Sequence, residues 1–137
     1  MLMAELATCV KYKLPIKIVV IKNNYLAQIM WEQMVFLGNP EFGCDLEPID
    51  FAAVAKGFGL TAFTLEDPEL AGEMVDKALQ HDGPVLLEAV VDPYSPPLPA
   101  NVTAEQALHF AESIAKGTPD RGKIVKTILA EKVRELV

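Results

Sequence analysis

The chain has 137 residues, 51% of them hydrophobic and 23% charged, a balance that excludes disorder and suits one packed domain. Its net charge of −7 has the wrong sign for a phosphate backbone, so nucleic acid is excluded as a bulk electrostatic partner. Two cysteines (Cys9, Cys44) and two histidines (His81, His109) are too few for a disulfide framework or a histidine-rich metal centre.

Leu2, Met3, Leu6, Ala7 and Val10 recur at helical spacing and predict an amphipathic helix from about Met3 to Lys13. Helices usually open after Ser, Thr, Asp or Asn, and here only Met1 and Leu2 precede. Either the helix frays or the domain is truncated at its N-terminus, and truncation is the expectation. Pro15 ends the helix, and Ile16-Lys17-Ile18-Val19-Val20-Ile21 reads as a buried strand of the kind found in parallel sheets. Lys22-Asn23-Asn24 breaks it, and a second helix is expected from Leu26 to about Met34. Residues 35–48, with Gly38, Asn39-Pro40 and Gly43, read as an irregular loop.

Asp50 is placed to cap a helix carrying Phe51, Val54, Ala55 and Phe58, followed by a short strand, Thr61–Leu65. Asp67-Pro68 starts the next helix, because proline in the first helical position loses no hydrogen bond. A turn at Asp82-Gly83-Pro84 leads into a third strand, Val85–Val91. This alternation predicts an α/β fold: a three-layer parallel sheet flanked by helices. The α/β domain is expected over residues 1–92. Residues 93–102 are a proline-rich extended linker, with an SH3 ligand as the alternative reading. Residues 103–137 form a C-terminal helical tail, opened by the capping-box pattern Thr103-Ala104-Glu105-Gln106.

In an open parallel sheet, ligands bind beyond the carboxyl ends of the strands, which makes Asn23-Asn24-Tyr25, Glu66-Asp67 and Asp92 the candidates. By residue type, Asn23-Asn24 reads first as a turn that caps the next helix. Its amide oxygens are also hard ligands suited to Mg²⁺ or Ca²⁺. Gln28 and Glu32 are four apart and share one helix face with Trp31 beside them, either a solvated face or an amide and a carboxylate aimed at a substrate. The cysteines and histidines lack partners and are assigned to packing or surface.

The stretch from Met3-Ala4-Glu5-Leu6-Ala7-Thr8 through Leu14-Pro15-Ile16-Lys17-Ile18-Val19-Val20-Ile21-Lys22-Asn23-Asn24 resembles the second part of the thiamine-diphosphate motif. That motif opens with Gly-Asp-Gly and ends in an asparagine pair. Trp31-Glu32-Gln33, Pro48-Ile49-Asp50-Phe51-Ala52, Gly83-Pro84-Val85 and Val90-Val91-Asp92-Pro93 are similar to the same family's C-terminal, pyrophosphate-binding domain, nearest to its pyruvate oxidase and pyruvate dehydrogenase (quinone) branch. The resemblance implies the thiamine-diphosphate-binding fold with thiamine diphosphate and Mg²⁺ as cofactors. The Asn23 side chain and the Tyr25 carbonyl are the implied metal ligands, with Asn24 the alternative in a register shifted by one. Leu26 and Ala27 complete the implied cofactor-binding stretch, Ala27 departing from the family's usual glycine.

The same resemblance implies catalytic roles for Glu32, near the reacting carbon, and for Gln28 one turn earlier. The aspartate of Gly-Asp-Gly, the carboxylate that activates the aminopyrimidine, and FAD are all implied to lie outside this chain. The implied activity of an intact parent is decarboxylation of a 2-keto acid, pyruvate, with electrons passing to flavin and then quinone or O₂. Alternatives are an acetolactate-synthase-like carboligase and a non-catalytic α/β interaction module. The expected partners are the remainder of the parent chain and a second subunit in a homo-oligomer; the isolated chain is expected to be inactive. With no signal peptide and no ~20-residue apolar run, the expected location is the cytoplasm, and no membrane association is indicated.

Overall fold

The computed structural model describes residues 3–96 and 103–135, and side chains to residue 131. Leu2 of the first predicted helix and residues 97–102 of the proline-rich stretch lie outside the described residues. Packing divides the chain into two units, Met1–Asn23 with Pro48–Val91, and Asn24–Glu47 with Asp92–Val137. The sequence-based cuts at 92 and 102 differ from this division chiefly in the segment 24–47, which packs with the C-terminal helices.

The first unit holds α1 (Glu5–Lys11), β1 (Lys17–Lys22), α3 (Phe51–Gly57), β2 (Thr61–Leu65), α4 (Ala71–Gln80) and β3 (Val85–Val90), with α2 (Ala27–Trp31) belonging to the other unit. Its strands form a parallel sheet in the order β1-β3-β2. Being central, β3 must be apolar on both faces, and Val85, Leu86 and Leu87 are all buried. On one face Leu86, Ala62, Ile18 and Val20 pack with Leu6 of α1 and Ala52 and Ala55 of α3. On the other, Val85 and Leu87 pack with Phe63, Leu65, and Met74 and Ala78 of α4. On that second face α4 lies over β2 and β3, and Val19 and Ile21 of β1 stay 56% and 66% exposed.

The local signals operate as their chemistry dictates. Asp50 Oδ1 accepts from Ala53 N at 2.7 Å and caps α3, whereas α1 begins at Ala4 with no side-chain cap. Asp67 Oδ1 accepts from Glu69 N at 3.0 Å, but the first turn, Pro68–Leu70, is a 3₁₀ turn that precedes α4. The turn into β3 is held by His81, whose Nδ1 accepts from Gly83 N at 3.0 Å, and by Lys17 Nζ, which donates to Gly83 O at 2.9 Å.

In the second unit, α2 (Ala27–Trp31) continues as a π-helical turn, Glu32–Phe36. The helix expected from Leu26 to Met34 therefore starts one residue later, ends two residues later and changes its winding halfway. Periodicity does not reveal the change, because the buried Met30, Trp31, Met34 and Val35 also fit a 3.6-residue repeat. These four and Cys44 form a core with Ile124 of α6 (Arg121–Glu135) and with Phe110 and Ile114 of α5 (Ala104–Ala115). The capping box of α5 is formed: Thr103 Oγ1 accepts from Gln106 N at 3.2 Å, and Gln106 Oε1 accepts from Thr103 N at 2.9 Å. No helix among the described residues is long and apolar enough to cross a membrane.

Candidate cofactor site

Asn23 directly follows Lys22, the last residue of β1, and so stands at a carboxyl strand end of the parallel sheet. Asn24 has φ +54°, a left-handed conformation that asparagine adopts more readily than most residues. With that turn made, Asn24 O accepts from Leu46 N at 3.0 Å and Leu26 N donates to Cys44 O at 2.8 Å. These two bonds flank an antiparallel bridge between Tyr25 and Asp45. The pair thus forms the turn that residue type suggests but does not cap the helix. The N-cap of α2 is Leu26, with no side-chain hydrogen bond, so the reading of Asn23-Asn24 as a helix cap is corrected. Ala27 is the first residue of α2.

Gln28 and Glu32 do meet on one face: Gln28 Nε2 donates to Glu32 Oε1 at 3.0 Å, and both side chains are exposed. Trp31 is not beside them. It turns into the core and stacks on Phe110, ring centroids 6.0 Å apart. Gln33, to which sequence reasoning gave no role, ties the following loop in both directions: it donates to Phe42 O at 3.1 Å and accepts from Phe42 N at 2.8 Å. Tyr25 packs against Tyr94 at 6.1 Å, and burial followed by its bond to Glu41 pushes its phenol well above the ordinary value. Cys9 and Cys44 are buried free thiols, as assigned, and burial raises Cys44.

The strand ends of the first unit frame a cleft of about 580 Å³ lined by Lys22, Asp50, Thr64, Glu66, Asp67 and Glu88. Glu88 is 1% exposed. Its Oε1 lies 2.6 Å from Lys22 Nζ, and its Oε2 accepts from Ala52 N at 3.1 Å and from Thr64 Oγ1 at 3.5 Å. One carboxylate therefore ties together all three strands and the start of α3. A signal for it existed, because a lone acid in the apolar run Val85–Val90 requires a buried partner. Asp92, by contrast, serves structure: it accepts from Tyr94 N at 2.8 Å and from Thr127 Oγ1 at 3.1 Å.

Among the described residues no group of three or more His, Cys, Asp or Glu could hold a metal ion. The oxygens expected to act as donors, the Asn23 side-chain oxygen and the Tyr25 carbonyl, are neutral and would fit Mg²⁺ only when further charge accompanies it. Such charge comes with a diphosphate, the usual way this ion is held.

Residues 1–89 match the family described as thiamine pyrophosphate enzyme, C-terminal TPP binding domain. The chain is 32% identical over 136 residues to the "Putative thiamine pyrophosphate-containing protein YdaP" of Bacillus subtilis (strain 168), covering 99% of this chain and 23% of that protein. It is 34% identical over 91 residues to the acetolactate synthase large subunit of Porphyra purpurea, covering 65% of this chain and 15% of that one. A solved structure titled as a "putative thiamin diphosphate-dependent enzyme" from Mycobacterium smegmatis superposes with a TM-score of 0.51 at 30% identity, over 64% of this chain and 15% of its own. The chain belongs to the thiamine pyrophosphate enzyme family, through its C-terminal cofactor-binding domain. It spans about a quarter or less of the length of these relatives.

Proposed function

We propose that this chain is the diphosphate-binding part of a longer thiamine-diphosphate- and Mg²⁺-dependent enzyme that decarboxylates a 2-keto acid, pyruvate. The observation that carries the reading is the position of Asn23-Asn24 at the carboxyl end of β1 inside a segment matching the family. Asn23, through its side-chain oxygen, and Tyr25, through its backbone carbonyl, would hold the Mg²⁺ that accompanies the diphosphate; the turn at Asn24 sets their spacing. Leu26 and Ala27, the N-cap and first residue of α2, would complete the cofactor-binding stretch. When bound, the cofactor supplies a nucleophilic thiazolium carbon and an electron sink, chemistry that no side chain provides.

This chain's own contribution is position and proton handling. Gln28 donates to Glu32 Oε1 and so orients the Glu32 carboxylate, which would exchange a proton with the bound substrate. The remaining ligand carboxylate, the carboxylate acting on the aminopyrimidine, and flavin would come from the rest of the parent chain or from a second subunit. In the oxidative reading that flavin would supply the route for electrons to a quinone or O₂. The second reading, carboligation of two keto acids, is supported by the relatives named acetolactate synthase.

Pyruvate turnover by the intact enzyme separates the two. Reduction of a quinone or of O₂ in step with CO₂ release supports the oxidative reading, and accumulation of acetolactate supports carboligation. No CO₂ release with either assay contradicts both. The 137-residue chain alone is expected to show neither activity and to bind thiamine diphosphate with Mg²⁺ weakly or not at all.

A further inference from the structure

The family match ends at residue 89, yet the chain continues with a segment that packs on 24–47, where Tyr25, Gln28 and Glu32 reside. Three separate contacts make that packing. Phe110 stacks on Trp31 with the rings inclined by 23°. Tyr94 packs on Tyr25, and its hydroxyl donates to Asp120 Oδ2 at 2.8 Å, just before α6. Lys116 Nζ, beyond the end of α5, donates to Gly38 O at 2.8 Å. Gly38 itself has φ +61°, and a Cβ there would sit 3.0 Å from Glu112 Oε2 and 3.4 Å from His109 Cα, so the approach of α5 demands a glycine.

These contacts act on the two ends and the middle of one element. Tyr25 lies two residues before α2, Trp31 is the last α-helical residue, and Gly38 follows the π-helical turn. Glu32, the first residue of that turn, is flanked on both sides by residues that the C-terminal helices hold. We infer that Tyr94 together with α5, Lys116 and α6 forms a positioning element, which clamps α2 and its π-helical turn and thereby fixes the direction of the Gln28–Glu32 pair. The inference rests on the proposed function for what that pair does, and on the contacts alone for the clamp. A π-helical turn is a rare winding that occurs mostly as a single turn, and contacts on both its flanks are what hold this one.

The 137-residue chain tests the clamp by hydrogen exchange. Phe110→Ala and Lys116→Met are expected to raise exchange at least tenfold at Leu26, Asn39 and Leu46, whose N–H groups bond within 24–47, and to leave Val85 and Val91 of the sheet unchanged. Lys116→Arg keeps a donor and is expected to restore wild-type protection. Unchanged exchange in both disrupting variants, or equal loosening of the sheet, overturns the inference. In the intact enzyme, Lys116→Met is expected to lower kcat about tenfold while thiamine diphosphate affinity changes less than twofold, with Lys116→Arg recovering kcat. An unchanged kcat with cofactor bound also overturns it. A wild-type enzyme that binds no thiamine diphosphate overturns the proposed function instead, and the exchange result still decides the clamp.

Discussion

The Glu88 carboxylate lies 2.6 Å from the Lys22 ammonium, joining the central strand to the last residue of β1, one position before Asn23. Both side chains are largely withdrawn from water, so each charge depends on the other, and removal of one strands its partner. Glu88→Ala is expected to destabilise the chain by about 3 kcal/mol at neutral pH, the scale of a broken buried pair. The double variant Glu88→Leu with Lys22→Met is expected to lose less than Glu88→Ala alone, because no charge is left uncompensated. Urea denaturation of the two variants checks the order; a double variant weaker than the single contradicts it.

The left-handed turn at Asn24 gives a second expectation. Asn24→Gly should fold with little loss, since glycine adopts φ +54° freely, whereas Asn24→Val should cost about 1–2 kcal/mol through its branched Cβ. Thermal unfolding of the pair gives the comparison. Equal midpoints for the glycine and valine variants would show that the turn is not held as described.

Tyr94 makes the second unit sensitive to alkali. Burial first, and the bond to Asp120 second, raise its phenol from 10.0 to about 12. A group whose folded pKa is raised holds its proton more tightly when folded. Its stabilisation is complete below the unfolded value of about 10 and is lost as pH climbs toward 12. The single tryptophan of the chain, Trp31, is the natural reporter, and its emission should shift to the red over that range. Tyr94→Phe should reduce the alkaline slope. Asp120 works in the opposite sense. Lys123 first and Tyr94 second lower its carboxyl, so its contribution is present above about pH 4 and is lost as pH falls further.

Exposed Val19 and Ile21 sit on an edge strand, and such strands recruit partners. The isolated chain is expected to self-associate at high concentration, and Val19→Lys with Ile21→Thr to reduce the association. Light scattering of both forms measures it; a wild-type chain that stays monomeric contradicts the expectation.

Much of the fold was legible because it depends on neighbours in sequence. The β-branched run before Lys22, the cap at Asp50, the strand at Thr61–Leu65 and the capping box at Thr103 and Gln106 all appear where local chemistry puts them. Less legible was whatever depends on distant partners. Nothing near Glu88 in sequence announces Ala52 or Lys22 as its companions, and nothing near Trp31 announces Phe110. Gln28 and Glu32 were placed together correctly by the four-residue spacing, while the orientation of Trp31 away from them required the core of the second unit to be known.

The central claim is that Asn23, at the tip of β1, donates to a Mg²⁺ ion shared with a diphosphate. Calorimetric titration of thiamine diphosphate into the intact enzyme, with and without Mg²⁺, tests it through Asn23→Ala. The account predicts Mg²⁺-dependent binding by the wild type and at least a hundredfold weaker binding by the variant, with unfolding midpoints alike. Wild-type affinity in the variant, or binding by the wild type that ignores Mg²⁺, would contradict it.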